Sequence, residues 1–586
     1  VSVAWFTLIL WVEVLRLTGG YLSKQEALLI FLLAGAYSGP LDLIYRAWFV
    51  HSDIAAKFGL TELIPTWWAP SVYSGAYESR NLFHLGFMPS YILRFITIPV
   101  SILMSLSLGV FAKEIFIEVE DLPFPMQEIS GRAVLTLTEA DERRTNRLFI
   151  FIFMGFWYGF VVYALPNILT AWTGRPVSII PIPWFDMTFQ GERAGLSGAI
   201  LGIATTLSPY ALAFILPSKT LLSMVVGALA ISLFGNWIWV RNSYQPVWWY
   251  TGMKIDMILQ RSTMYVWAAP LMGFSIAVGL MPLARNPKVV PRAIKSMILF
   301  EKGTAREGKT EPFNFYTYFL VPYAATTIAG ILYFAILSPN FFTGYFYFIV
   351  PFVIFLPLIF TLIEGRMIGE TGVEVVEQGR ITNAFYLATG YPGVDMWYVP
   401  NMWNTVGTSW LRHFKLFQLC DLSFKSYLTL YILLIPLGWA AAFLFAQIFW
   451  NLAPIPSGTY TGAAIFWPLS AVNQAVIIRG PQLGLFKIEW LLIGVVVGVA
   501  LDLVSARVGV ISAIGVAAGA SSSTPFALAW LLGYIIAMVV RKVFGEVWFQ
   551  ENRRLIAAGL IVGQSIAIAT SVGLALIISA LWTRPF

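Results

Sequence analysis

The chain has 586 residues, 58% of them hydrophobic and 11% charged, with a mean hydropathy of +0.75 and a formal net charge of +7. A water-soluble protein of this length needs a far more polar surface, so lipid is the expected solvent for most of the chain. The positive balance is ordinary for a membrane protein with basic cytoplasmic loops, and no basic stripe interleaved with exposed aromatics points to nucleic acid.

A hydrocarbon core of about 30 Å takes roughly 20 apolar residues per helix. In chain order the apolar runs predict about fourteen spans, at 2–18, 26–50, 86–113, 147–172, 192–216, 218–241, 263–284, 317–337, 342–363, 426–450, 459–478, 484–503, 509–541 and 555–582. The runs are continuously apolar rather than alternating, which selects helices over barrel strands. The expected fold is therefore an all-α polytopic transmembrane bundle, with pseudo-symmetric halves and broken helices. The expected division is an N-terminal transmembrane half (1–284), a basic cytoplasmic linker (285–316) and a C-terminal half (317–586). An amphipathic cytoplasmic segment is expected near 364–425, and no soluble domain fits between the spans. The first run holds Glu13 and Arg16, which makes it a poor signal peptide.

The linker carries Arg285, Lys288, Arg292, Lys295, Lys302, Arg306 and Lys309 against Glu301, Glu307 and Glu311, so the positive-inside rule places it in the cytoplasm. Counting spans from there puts Arg143, Arg144, Arg366, Arg412, Lys415, Arg553 and Arg554 inside as well. The aromatic, Pro-rich segments 51–85 and 173–191 fall outside, as do both termini. The expected location is the cell membrane, with lipid on all sides of the bundle.

Pro lies within many spans, and as a packing kink it needs no functional explanation. The run Gly515-Val-Ala-Ala-Gly-Ala-Ser-Ser-Ser-Thr-Pro525 is different: small and hydroxyl residues followed by Pro predict a broken helix of the kind that lines transporter cavities. Three small-residue pairs, Gly494/Gly498, Gly515/Gly519 and Gly559/Gly563, predict close helix contacts. Packing within the chain is the first expectation for them, and a homodimer or larger membrane assembly the second.

Ionisable groups inside a span are costly and persist when paired or on a pathway. Asp42 and Arg46 stand at i and i+4 on one helix face, as an internal ion pair or a coupling site. Arg94 has no partner in sequence and calls for snorkelling or a carboxylate on another helix. Later spans carry amides instead: Gln447, Asn451, Asn473, Gln474 and Gln564. Each alone reads as interhelical glue. Together with Ser521, Ser522, Ser523 and Thr524 they predict a polar cavity in the C-terminal half. His51, His84, His413 and the lone Cys420 give no metal-ligand spacing, and no nucleotide-binding or hydrolase motif is present. Neither a catalytic residue, a metal nor a cofactor is expected.

Three patterns carry a resemblance to a family. Glu120-Asp-Leu-Pro-Phe-Pro125 follows the third span, Arg366-Met-Ile-Gly-Glu-Thr-Gly372 follows the ninth, and the C-terminal order runs from Asp421 and Lys425 through Trp467-Pro468 to a Gly-rich last span preceded by Arg553 and Arg554. In these the chain resembles the oligopeptide transporter (OPT) superfamily and its divergent prokaryotic members. The Lys-Ile-Pro-Pro-Arg and Asn-Pro-Gly motifs of the peptide-transporting branch are not present. The resemblance implies a proton-coupled importer of small organic solutes such as peptides or metal chelates. In that reading Asp42 and Glu370 are the proton-coupling carboxylates. Arg46, Asn473, Gln474, Ser521 to Thr524 and Gln564 are the substrate-binding groups. The alternative is a non-transporting integral subunit that anchors a larger complex. A membrane-embedded transferase using outer carboxylates (Asp53, Glu62, Glu78, Asp186) ranks below both.

Overall fold

In the computed structural model the described residues are 2–34, 40–138, 142–173, 177–243, 248–285, 287–300, 313–373, 382, 386, 389–402, 405–457, 460, 463, 467–468, 470–472, 474–475, 478 and 488–581. They form an almost wholly helical protein, in which ten helices are long and apolar enough to cross a membrane.

In chain order the helices that matter below are α1 (Ser2–Leu17), α2 (Lys24–Leu33), α3 (Leu41–His51), α4 (Met88–Lys113), α5 (Pro125–Thr138), α6 (Glu142–Gly159), α7 (Leu207–Ala213), α8 (Ser218–Ala228), α9 (Ile255–Ser262) and α10 (Ala268–Arg285). They continue with α11 (Val321–Leu337), α12 (Phe346–Thr371), α13 (Thr408–Cys420), α14 (Phe424–Leu452), α15 (Ile488–Val508), α16 (Ala513–Ala520), α17 (Thr524–Phe544) and α18 (Glu546–Leu581). Several run on through π-helical turns, such as Glu114–Val119 after α4 and Leu229–Gly235 after α8.

The sequence expectation and the structure part at three of the fourteen runs. The run 26–50 is two helices, not one. A capping box of Ser23 and Glu26 starts α2, and α3 begins behind Pro40. The run 192–216 is no span at all. It contains the end of a short helix (Thr188–Arg193), the strand β2 (Gly202–Ala204) paired antiparallel with β1 (Trp184–Asp186), and then α7. Gly195 and Gly198 at φ +85° and +78° turn the chain there. α1 is an apolar helix with a shorter apolar core, Ala4–Leu15, than the ten. Half of 459–478, like the linker from 301 to 312, lies outside the described residues. The break expected in 515–525 is present: α16 ends at Ala520 and α17 starts at Thr524.

The described helical parts of the segment near 364–425 belong to the bundle. α12 continues through Thr371 and is stopped by Gly372 at φ +73°. α13 is packed into the bundle against α4, α5 and α12, burying Trp410, Leu411, Phe414 and Phe417.

Helices of the two halves pair in nested order: α6 with α18, α7 with α17, α8 with α16 and α10 with α15. The small-residue pairs make three of these contacts. A Cβ at Gly563 would overlap the Ile152 carbonyl, at Gly519 that of Met224, and at Gly494 that of Pro270. The partners answer in kind, since a Cβ on Gly155, Gly227 or Gly273 would strike α18, α16 or α15 in turn. All three pairs are thus filled from within the chain, because a glycine-only face lets two backbones reach van der Waals contact.

Candidate functional site

The groups singled out from sequence fall into four places rather than one. The first is the helix break. Between α8 with its π-turn, α9 and α10 on one side and the α16–α17 junction on the other lies a cavity of about 240 Å³. Ser521, Ser522 and Ser523 line it, and Thr524 stands behind, its hydroxyl 2.7 Å from that of Ser232. The opposite wall brings Ser232, Asn236, Ser262, Thr263 and Ser275, none of which a sequence reading selects, because an isolated Ser or Thr in an apolar run carries no signal. Trp267 donates its indole N–H to the Asn236 side chain at 2.6 Å, and the Asn236 amide reaches Ser262 Oγ at 3.4 Å. Among the described residues no charged side chain lines the cavity.

The second place surrounds Asp42. Its carboxylate pairs with Arg46 at 3.2 Å on the same helix and with Arg94 of α4, which answers the missing partner of Arg94. Arg46 also lies over the Trp68 ring at 5.1 Å and Arg94 over Trp439 at 4.9 Å. Tyr45, one turn from Asp42, donates to Gln474 Oε1 at 3.2 Å. Arg46 and Gln474 therefore belong to this aromatic-flanked cluster and not to the serine cavity, and Asn473 lies outside the described residues.

The third place joins the two motifs behind the family resemblance. Arg366 contacts Glu120 at 2.9 and 3.0 Å and Glu370, one turn along α12, at 3.1 Å. The Glu120–Pro125 turn docks on the Arg366–Gly372 segment directly: Phe124 N–H donates to the Gly369 carbonyl at 2.8 Å, and Leu122 covers Gly369 closely enough to exclude a side chain there. Asp121 and Phe124 hold left-handed backbone at φ +47° and +44° to make the turn. Arg285 and Asp502 form a further pair at 2.7 Å. Asp502 was the missed group with a visible signal, a carboxylate deep in the apolar run 484–503. Lys113 and Glu118 pair at 3.0 Å, both almost fully buried.

The fourth place is Gln564 alone. Its side-chain oxygen accepts from Leu207 N–H at 2.9 Å, capping the start of α7 where the β2 strand ends. Likewise Gln447 bonds Leu82 N–H, the Arg80 carbonyl and Asn451, tying α14 to the outer segment. The single C-terminal cavity expected for all these amides is not what the chain builds. The amides satisfy backbone, and hydroxyls line the space. Among the described residues no three His, Cys, Asp or Glu side chains gather as a metal site.

No family model matches this chain, and no curated protein does.

Proposed function

We propose that the protein is a secondary transporter of small organic solutes in the cell membrane, proton-coupled and of the OPT-like type. The observation that carries the reading is the helix break at 521–523, opening on a hydroxyl-lined cavity between helices of both halves. Irregular backbone at membrane depth is tolerated where it lines such a space, and broken helices around a central site are the working parts of secondary transporters. The direct docking of Glu120–Pro125 on Arg366–Gly372 supports the OPT-like assignment, since those segments are two of the three patterns that carry the resemblance.

The charge arrangement favours Glu370 over Asp42 as the coupling carboxylate. Two guanidiniums surround the one carboxylate of Asp42, whereas two carboxylates share the one guanidinium of Arg366. Glu120 stands beside Glu370 as a like charge, with Arg366 and the Lys219 ammonium as counter-charges, and like charges held together in a partly buried cluster are what a proton can relieve. In this reading the basic linker faces the cytoplasm and both termini lie outside. The alternative of an anchoring subunit drew on the glycine pairs as an interface, and those are occupied internally.

The test is pH-gradient-driven uptake of a mixed solute pool into liposomes containing the purified chain. Uptake abolished by a protonophore is the expected result. Glu370→Gln is expected to remove its pH dependence, while Asp42→Asn leaves it. An inserted, folded chain that moves nothing overturns the reading.

A further inference from the structure

We propose that the cavity at the helix break binds a neutral polyhydroxylic solute, a polyol or monosaccharide, and not a charged peptide or metal chelate. This rests on the transport reading above and names the substrate class of the same site.

The wall chemistry argues it. Ser262 Oγ donates to the Leu259 carbonyl at 3.4 Å, Thr263 Oγ1 to the same carbonyl at 2.6 Å, and Ser522 Oγ to the Ala518 carbonyl at 2.9 Å. Ser232 Oγ is held at 2.7 Å from the Ala228 carbonyl and at 2.7 Å from Thr524. A hydroxyl has one proton and two lone pairs, so these groups have given their protons to the helices and turn acceptor lone pairs to the cavity. A wall of neutral acceptors selects a ligand rich in O–H donors.

One wall group lacks any partner. Ser523 stands at the N-cap of α17, yet its side chain caps nothing, and its hydroxyl is orphaned in a residue only 2% exposed. An unsatisfied buried hydroxyl is costly, so a ligand hydroxyl that reaches it supplies the hydrogen bond that the protein does not. Trp267 and Phe526 supply apolar surface in the same cavity, suited to the C–H face of a polyol or sugar ring.

Charged cargo has no counterpart here. A peptide ammonium and carboxylate, or the carboxylates of a chelate, would be stripped of water against hydroxyls with no ion to pair, and that desolvation opposes binding.

The experiment uses the purified full-length chain in two forms. Equilibrium dialysis in detergent measures binding of labelled xylitol and D-xylose, with glycylglycine and iron(III) citrate as competitors. The same preparation in liposomes is assayed for pH-gradient-driven uptake of all four. Saturable binding of xylitol or xylose, unaffected by the two charged competitors, is the expected result. Ser523→Ala should weaken that binding by about three- to tenfold, one hydrogen bond's worth. Its thermal stability should be unchanged or slightly higher, because an orphaned hydroxyl has been removed. Ser275→Ala provides a second lining variant with the same expected loss. Binding of glycylglycine or iron citrate with no binding of either neutral probe overturns the proposal while leaving transport standing. Neutral probes that bind but never cross overturn the transport reading and leave the site assignment. Neutral binding untouched by both Ser523→Ala and Ser275→Ala places the ligand elsewhere and overturns the proposal.

Discussion

At the α16–α17 break the polar groups are neutral and numerous, and the protons of Ser232, Ser262, Thr263 and Ser522 are spent on nearby helix carbonyls. At Arg366 they are charged and few, and they satisfy one another across 246 positions of sequence. Both regions solve the cost of polar atoms in an apolar bundle, by opposite means. The neutral wall leaves acceptor capacity over and can open on a cavity. The charged cluster pairs its carboxylates with Arg366 and clamps two segments together. The difference teaches that capacity to bind and capacity to hold are separate properties, and that a partnerless hydroxyl is a better pointer to a ligand than a paired charge.

The comparison can be broken most forcefully at Arg366. Arg366→Met leaves Glu120 and Glu370 without their counter-charge, and a loss of about 3–5 kcal/mol is expected. Thermal inactivation in detergent measures it, and the double change Glu120→Gln with Glu370→Gln on that background should restore much of the loss. If Arg366→Met melts like the parent, the cluster does not clamp. Next in size is the close packing that frames both regions. Gly563→Ala presses a methyl group on the Ile152 carbonyl and should cost about 1–3 kcal/mol, while Gly573→Ala, where nothing lies within 4 Å, should be silent.

A pH titration sharpens the charged side further. His413, on the same helix as Lys415, which sits over the Phe124 ring at 5.8 Å, is enclosed by the rings of Trp410, Phe417 and Tyr427. Burial pushes its imidazole down to about 4 from an ordinary 6.5. The unfolded chain therefore takes up a proton that the folded chain refuses, and stability falls as pH drops from 6.5 towards 4. The effect is on the order of 1 kcal/mol. His413→Phe should flatten the stability profile in that window, and an unchanged slope would assign it to other groups. The smallest change is expected at the neutral wall, where Ser523→Ala stays within about 0.5 kcal/mol of the parent or above it. The same melting assay reads every one of these variants.

Where elements are long and apolar, the chain order already shows them: ten of the expected runs are helices of spanning length. Where an apolar run is interrupted by glycine and proline, composition misleads. The run 192–216 has the hydropathy of a span, but Gly195, Gly198 and Gly202 allow turns and a strand contact that no hydropathy count sees. The run 26–50 divides before Pro40 for a related reason. The broken helix at 515–525 was readable because its small residues, hydroxyls and proline fall together in one stretch. The rest of the cavity was not, since Ser232, Asn236, Ser262, Thr263 and Ser275 lie in separate runs and become neighbours only when α8 and α16, and α10 and α15, pair across the halves.

By itself the sequence determined the solvent, the helical class and the places where a straight helix fails, because hydropathy and backbone preference act locally. Tertiary structure alone decided which polar groups meet. It sent Arg94 to Asp42, Gln474 to Tyr45, Glu120 to Arg366, and Gln564 to the start of α7. Partner choice depends on helix packing, and packing here is set by glycine faces that let backbones touch, a property of two distant segments together and of neither alone.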